Sequence, residues 1–412
     1  ELGGGAGWDT WALGGIGLGL AATLLTAGSL ADLFGHRRMF VGANVALAGA
    51  GALAAVAPSM LIFVIARVLQ GVAAAGVLSA GLGLLGRRFP SGPPRTRATG
   101  IWAAGLGAGI TLGPVVSAAL SDAVNWRAAW ALTAVGGLAS AAAGRGLEAV
   151  PPIEDRRALD VRGAVVLAVA MGCLVGGITA GRTDWTSEAT LALILVGLES
   201  LLLFVWIEHS HRDPMLDLAH FRNPAFLATV GGAAVTGLTT IALLSYMPVM
   251  LGPRGLGLTA IASGAVPAVW SATGMAVSAG AGRLPVGFGA PARLAVGLLA
   301  SAAGLAGLAV LGDDSQWWVF APGLFAAGIG SGLANAAVAR LAVEAMPPAQ
   351  AGLGSGASNT ARYLGAAMGI AVVVAIVTGG DSLADGWNRA ALITGAVNVV
   401  GTALIAIPYA RR

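Results

Sequence analysis

The sequence contains no lysine, and all 23 basic residues are arginine. It has one cysteine, Cys173, so no intrachain disulfide can form, and its place in an apolar stretch reads as packing. Charge of either sign is scarce. Asp, Glu, Lys and Arg make up 10% of 412 residues, against roughly 25% in a soluble domain. Hydrophobic residues reach 57%, with a mean hydropathy of +0.82. No soluble fold of this length hides so much apolar surface, so the solvent must be largely lipid. A Walker-type phosphate loop, zinc-ligand spacing and a nucleophile motif are also missing. That argues against an enzyme and against ATP-driven pumping, and no cofactor is expected. His209 and His211, with His220 nearby, sit in a charged connector, where a metal site is not expected.

Glycine, by contrast, is abundant at 64, alongside 18 prolines. Small residues let membrane helices approach closely, and proline is tolerated there. Thirteen spans of about 20 apolar residues can be traced. They run near 12–31, 39–57, 60–84, 98–120, 126–144, 161–181, 188–208, 226–250, 259–281, 292–312, 317–342, 353–378 and 387–409.

The arginines do not gather on one face, as a nucleic-acid binder would require, and no nucleic-acid partner is expected. They sit in the connectors between spans. Alternate connectors assign seventeen to one side: Arg37, Arg38, Arg87, Arg88, Arg95, Arg97, Arg145, Arg156, Arg157, Arg162, Arg212, Arg222, Arg283, Arg293, Arg340, Arg411 and Arg412. The other side receives four: Arg127, Arg182, Arg254 and Arg389. This asymmetry marks the first side as cytoplasmic and puts the C-terminus there, in a multi-pass bacterial inner-membrane protein. Trp126, Trp130, Trp185, Trp317, Trp318 and Trp387 then fall near the outer face as an aromatic belt. Residue 1 would lie outside. No basic region followed by an apolar stretch and a cleavage site marks a signal peptide.

Gly28-Ser29-Leu30-Ala31-Asp32-Leu33-Phe34-Gly35 matches Gly282-Arg283-Leu284-Pro285-Val286-Gly287-Phe288-Gly289 as G-x-L-x-x-x-F-G. Both segments follow an apolar span and both fall in cytoplasmic connectors, which favours duplicated halves. The first continues into His36-Arg37-Arg38. Its glycines permit a tight turn, Asp32 is a fixed anion at a membrane boundary, and the arginines hold the connector in the cytoplasm. This segment resembles the signature loop of the major facilitator superfamily. The resemblance implies that Gly28, Asp32, Gly35, Arg37 and Arg38 form an inner gate, with Asp32 capping a helix N-terminus in the opposite half.

Further motifs agree. Arg67-Val68-Leu69-Gln70-Gly71 lies inside a span, where an arginine is costly and usually faces protein or water. Arg67 and Gln70, three apart, share a helix face. The stretch resembles the superfamily's arginine-glutamine-glycine motif, which implies a part in proton coupling. Gly105, Gly109 and Gly113 recur at four-residue spacing before Pro114, an expected smooth packing face followed by a kink. From Gly105 to Ser117 the run resembles the family's antiporter motif, except that Val116-Ser117 replace its usual glycine pair. Asn125-Trp126-Arg127 resembles the start of the family's sixth helix. The segment from Glu208 through Asp213-Pro214-Met215-Leu216-Asp217-Leu218 to Phe221-Arg222-Asn223 resembles a connector of the fourteen-helix drug:proton antiporter branch. Gly352 to Gly365, with Asn359, Arg362 and Tyr363, resembles its penultimate helix.

The resemblance implies an all-α membrane protein of the major facilitator fold: two pseudo-symmetric helix bundles with two extra helices between them. The expected division is 1–145, 146–225 and 226–412, with the thirteen spans standing for family helices two to fourteen and the first absent. It implies a monomer in the lipid bilayer that exports small amphipathic or cationic organic compounds in exchange for protons by alternating access. Two other readings stay open: a narrow exporter of one metabolite or self-made antibiotic, and a non-transporting sensor or decayed paralogue. Glu199 is the only carboxylate deep inside a span, so burial and a proton-carrying role are expected of it.

Overall fold

The computed structural model describes residues 6–90, 92–147, 160–181, 184–210, 218–252, 255–281, 289–312, 316–346 and 351–410. Every described regular element is helical. Seven long helices come first: α1 (Ala6–Phe34), α2 (His36–Ala55), α3 (Met60–Arg88), α4 (Pro93–Ala123), α5 (Arg127–Arg145), α6 (Val161–Gly181) and α7 (Glu188–Ser210). A short 3-10 turn, Leu218–Arg222, leads to α8 (Pro224–Thr236), which passes through a π-helical turn at Gly237–Ile241 into α9 (Ala242–Leu251). Then come α10 (Ala260–Ala265), α11 (Ala268–Gly280), α12 (Ala290–Ala306), α13 (Ala321–Glu344), α14 (Ala351–Thr378) and α15 (Leu383–Ala410).

Read as rods, with α8–α9 and α10–α11 each one broken helix, these match the thirteen expected spans one for one. Eleven of the rods are long and apolar enough to cross a membrane; α5 and the shorter α12 are the exceptions. An α-helix satisfies its own backbone groups, which lipid cannot do, so apolar composition dictates helices here.

The chain folds into two compact units. One holds Glu1–Arg88, Val124–Phe226 and Ala342–Leu364; the other holds Phe89–Ala123, Leu227–Leu341 and Gly365–Arg412. Thus α4 packs with second-half helices, and the first half of α14 packs with first-half ones.

In the first unit glycine sets how close helices come. A Cβ on Gly71 of α3 would lie 2.2 Å from the Ile16 carbonyl oxygen of α1, and one on Gly19 would lie 2.1 Å from the Val68 carbonyl. The same holds for α2 against α5, where a Cβ on Gly137 would be 2.9 Å from the Asn44 carbonyl. Arg127 closes the far end of that pair, donating to the carbonyls of Ala55 (3.0 Å), the last residue of α2, and Ala57 (2.9 Å). The inserted helices α6 and α7 pack through Gly177 against Ile194 and Gly197 against Leu174.

The second unit has a core around Leu243, Met247, Leu305, Phe320 and Trp387. Trp387, expected in the aromatic belt, is fully buried in this core. Its indole N–H donates to the Leu308 carbonyl at 2.9 Å, which satisfies the donor inside the protein. Asn388 beside it holds both backbone groups of Leu311, at 3.0 and 2.8 Å. Trp185, Trp317 and Trp318 are exposed.

Candidate functional site

The signature segment is more helical than a loop. Helix α1 runs on to Phe34 and α2 starts at His36, so the whole connection is Gly35. Its φ of 93° belongs to the left-handed region that glycine occupies without strain. Asp32 therefore sits on the last turn of α1, where the Asp32 Oδ1 to His36 Nε2 distance is 3.3 Å. Nothing in the pattern around His36 points to burial, yet it is 3% exposed. Gly83 of α3 makes the room, since a Cβ there would lie 2.5 Å from His36 Cε1. Gly28 is buried, Arg37 donates to the Arg145 carbonyl at the end of α5, and Arg38 is exposed.

Helix α14 approaches this region. A Cβ on Gly356 would lie 2.6 Å from the Leu24 carbonyl, and Tyr363 packs into the cluster of Leu20, Leu24, Ala27 and Ala75. Higher numbers on α14 thus meet lower numbers on α1. The positive N-terminal end of α14 lies toward the Asp32 end of α1, the arrangement a carboxylate favours.

Arg67 is anchored inside the unit. Its Nε donates to the Ala12 carbonyl of α1 at 3.2 Å and its Nη1 to Gln70 Oε1 at 2.9 Å. The guanidinium carbon stands 4.8 Å from the Trp130 ring centroid of α5, a cation–π contact. Three helices therefore meet at Arg67, and its polar atoms are spent on protein rather than on a headgroup. Gln70 is 1% exposed, and Gly71 provides the close crossing that lets α1 reach both.

The glycines of α4 do not pack as their spacing suggests. Among the described residues nothing lies within 4 Å of a Cβ placed on Gly105, Gly109 or Gly113. The face on α11 is instead Gly100 and Gly107. A Cβ on Gly100 would lie 2.5 Å from the Ser278 carbonyl, and one on Gly107 would lie 3.2 Å from Met275 Cβ. Pro114 continues that seven-residue spacing and meets Gly264 of α10. Gly105 and Gly109 fall two residues to either side of Gly107, and at 100° per residue that turns them to the opposite face. The helix continues past Pro114 to Ala123.

Glu199 is exposed, which contradicts the expected burial. It shares a stripe of α7 with the exposed Leu195, Leu202 and Trp206, while α7 uses Gly197 to meet α6. The second copy of the signature pattern, residues 282–288, lies outside the described residues, as do Arg182, Arg254, His211 and the connector from Arg212 through Asp217. Among the described residues no group of three or more His, Cys, Asp or Glu could hold a metal ion.

Residues 2–370 match the family described as the Major Facilitator Superfamily. The multidrug resistance protein Stp of Mycobacterium tuberculosis is 30% identical over 373 residues, covering 89% of this chain and 68% of that protein. The tetracenomycin C resistance and export protein of Streptomyces glaucescens is 30% identical over 390 residues, covering 93% and 71%. Among solved structures, the human organic anion transporter MFSD10 superposes with a TM-score of 0.69 at 17% identity, over 97% of this chain and 83% of that one. At that identity the likeness speaks for the fold alone.

Proposed function

The chain belongs to the Major Facilitator Superfamily, and from that premise we propose that it is a proton-driven exporter of small amphipathic organic compounds. It is a multi-pass membrane transporter, not an enzyme. The observation that carries the export direction is its relationship to resistance and export proteins across nearly its whole length.

The geometry supports a division of labour. Asp32, Gly35 and the arginines beside them serve as the inner gate, with the start of α14 as the gate's other face. Arg67, Gln70 and Gly71 hold α1, α3 and α5 together, so a change of charge at Arg67 is felt by three helices at once. In this reading the arginine-rich connectors lie in the bacterial cytoplasm, with the C-terminus. The segments 1–145 and 226–412 are the two halves that alternate access, and 146–225 is an insertion between them. α4 and α14 are the helices each half lends to the other. The protein works as a monomer without a cofactor.

A narrower reading has one observation in its favour: the Streptomyces glaucescens relative confers resistance to, and exports, a single named antibiotic. One experiment separates the readings. The protein is expressed in a pump-deficient bacterial host and challenged with a panel of amphipathic antibiotics and dyes, with intracellular accumulation measured. Lowered accumulation across several chemical classes supports broad export, and lowered accumulation of one class supports the narrow form. Unchanged accumulation of every compound in cells with verified membrane expression would refute export.

A further inference from the structure

Among the described residues two arginines lie mid-helix and inside a unit, Arg67 and Arg362. Arg67 has its partners. Arg362 does not. It is 8% exposed on α14, and its Nε finds no hydrogen-bond partner. Its helical neighbours are occupied otherwise: Asn359 Nδ2 donates to the Ser355 carbonyl at 3.0 Å, and so does Ser358 Oγ, also at 3.0 Å. Tyr363, the neighbour that interacts with it electrostatically, packs its ring against the Leu20–Leu24 cluster and carries no formal charge to offset it.

Among the described side chains no carboxylate acts on its charge. Asp32 is at the end of α1 beside His36, Asp160 caps α6 through the Gly163 N–H at 2.8 Å, and Glu199 is on the outer stripe of α7. A second orphan is also a donor. Gln70 points its oxygen at Arg67, and its Nε2 is buried without a partner. Gly71 crosses α1 at Ile16 to Leu20, and Tyr363 packs at Leu20 and Leu24, so Gln70 and Arg362 stand at similar depth along α1. Both orphans are N–H donors. A buried cation without a counter-charge is costly, and one that persists in a membrane helix marks a functional position.

We infer that Arg362 receives an acidic group of the transported compound, a carboxylate or the phenolate of an aromatic ring system. A guanidinium presents its donors as a planar fork that a carboxylate fits with two parallel bonds. The inference rests on the exporter reading and narrows it to organic monoanions with an apolar body. Arg362 is enclosed in this conformation, and the alternating cycle opens it.

The test uses a fluorescent carboxylic acid and its methyl ester, with transport measured in proteoliposomes for wild type, Arg362→Lys and Arg362→Gln. Wild type moves the acid. Arg362→Gln loses about tenfold or more of that rate, the worth of one charge-assisted hydrogen bond, while ester transport stays near wild type. Arg362→Lys keeps part of the acid transport. Equal loss of acid and ester, or loss of neither, overturns the inference and makes Arg362 a fold-holding residue. If the glutamine variant does not accumulate, thermal stabilisation of purified wild type and Arg362→Lys decides. Stabilisation of wild type by the acid and not the ester, weakened in Arg362→Lys, supports the site; equal stabilisation overturns it. A wild type that moves the ester but never the acid overturns this inference and leaves the exporter reading standing. A wild type that moves neither, yet is stabilised by the acid through Arg362, does the reverse.

Discussion

Gly71→Ala tests whether the α1–α3 crossing holds the Arg67 site. A methyl group at this position would lie 2.2 Å from the Ile16 carbonyl oxygen, 2.8 Å from the Leu20 nitrogen and 2.9 Å from the Gly19 Cα. All three are backbone atoms on a helix, so no rotamer change relieves the clash. The helices must separate by roughly 1 Å to restore van der Waals contact. Overpacking of this kind costs about 1–3 kcal/mol. It is offset by the gain of up to about 1 kcal/mol that alanine brings to a helix over glycine. The control is Gly49→Ala on α2, where nothing lies within 4 Å and only the propensity gain remains. The same separation would stretch the 3.2 Å bond from Arg67 to Ala12. Melting of the purified proteins in detergent, followed by size-exclusion fluorescence, should therefore show Gly71→Ala below wild type and Gly49→Ala at or above it. Export should fall for the first and not the second. A Gly71→Ala protein that melts with Gly49→Ala and exports normally would refute the crossing as the site's support.

Asp32→Asn removes the charge at the end of α1 while keeping its shape; export should fall about tenfold with membrane expression unchanged, in keeping with a carboxylate at a helix terminus, and efflux assays beside a quantified membrane fraction check this. Gly107→Leu should disrupt the α4–α11 contact and lower both stability and export. Gly113→Leu, which meets open space, should cost far less, and equal damage from the two would restore the four-residue spacing as the packing face. Glu199→Gln should leave gradient-driven export within about twofold of wild type, the ordinary range for an exposed substitution; abolished transport in vesicles would put the proton on α7 after all.

The helices were legible because lipid leaves the chain no alternative: twenty apolar residues in a row must satisfy their own backbone. What each helix faces was not. The glycines of α4 recur every four residues, yet it is the seven-residue set Gly100, Gly107 and Pro114 that meets α10 and α11. Both sets lie on one helix, and composition cannot say which side the neighbour takes. Glu199 shows the same limit, since between Leu191 and Ile207 the rest of α7 is almost wholly apolar and no periodicity distinguishes its packed stripe from its outer one. Gly35 is recognisable as a turn residue, but not that it alone makes the turn, because Phe34 and His36 are equally at home in helix or loop. Arg67 and Gln70 were legible as a pair from their spacing, whereas Trp130 and Ala12 come from distant segments. Arg362 was visible as an arginine in a span, and its lack of a counter-ion emerges only when its surroundings are known.

Proton-driven export stands or falls on substrate-coupled proton movement. The purified protein is reconstituted into liposomes carrying a pH-sensitive dye, and a substrate found in the accumulation panel is added on one side. An imposed pH gradient should drive substrate uphill, substrate addition alone should move protons the opposite way, and a protonophore should abolish both. Substrate movement that ignores the gradient and shifts no protons would contradict it.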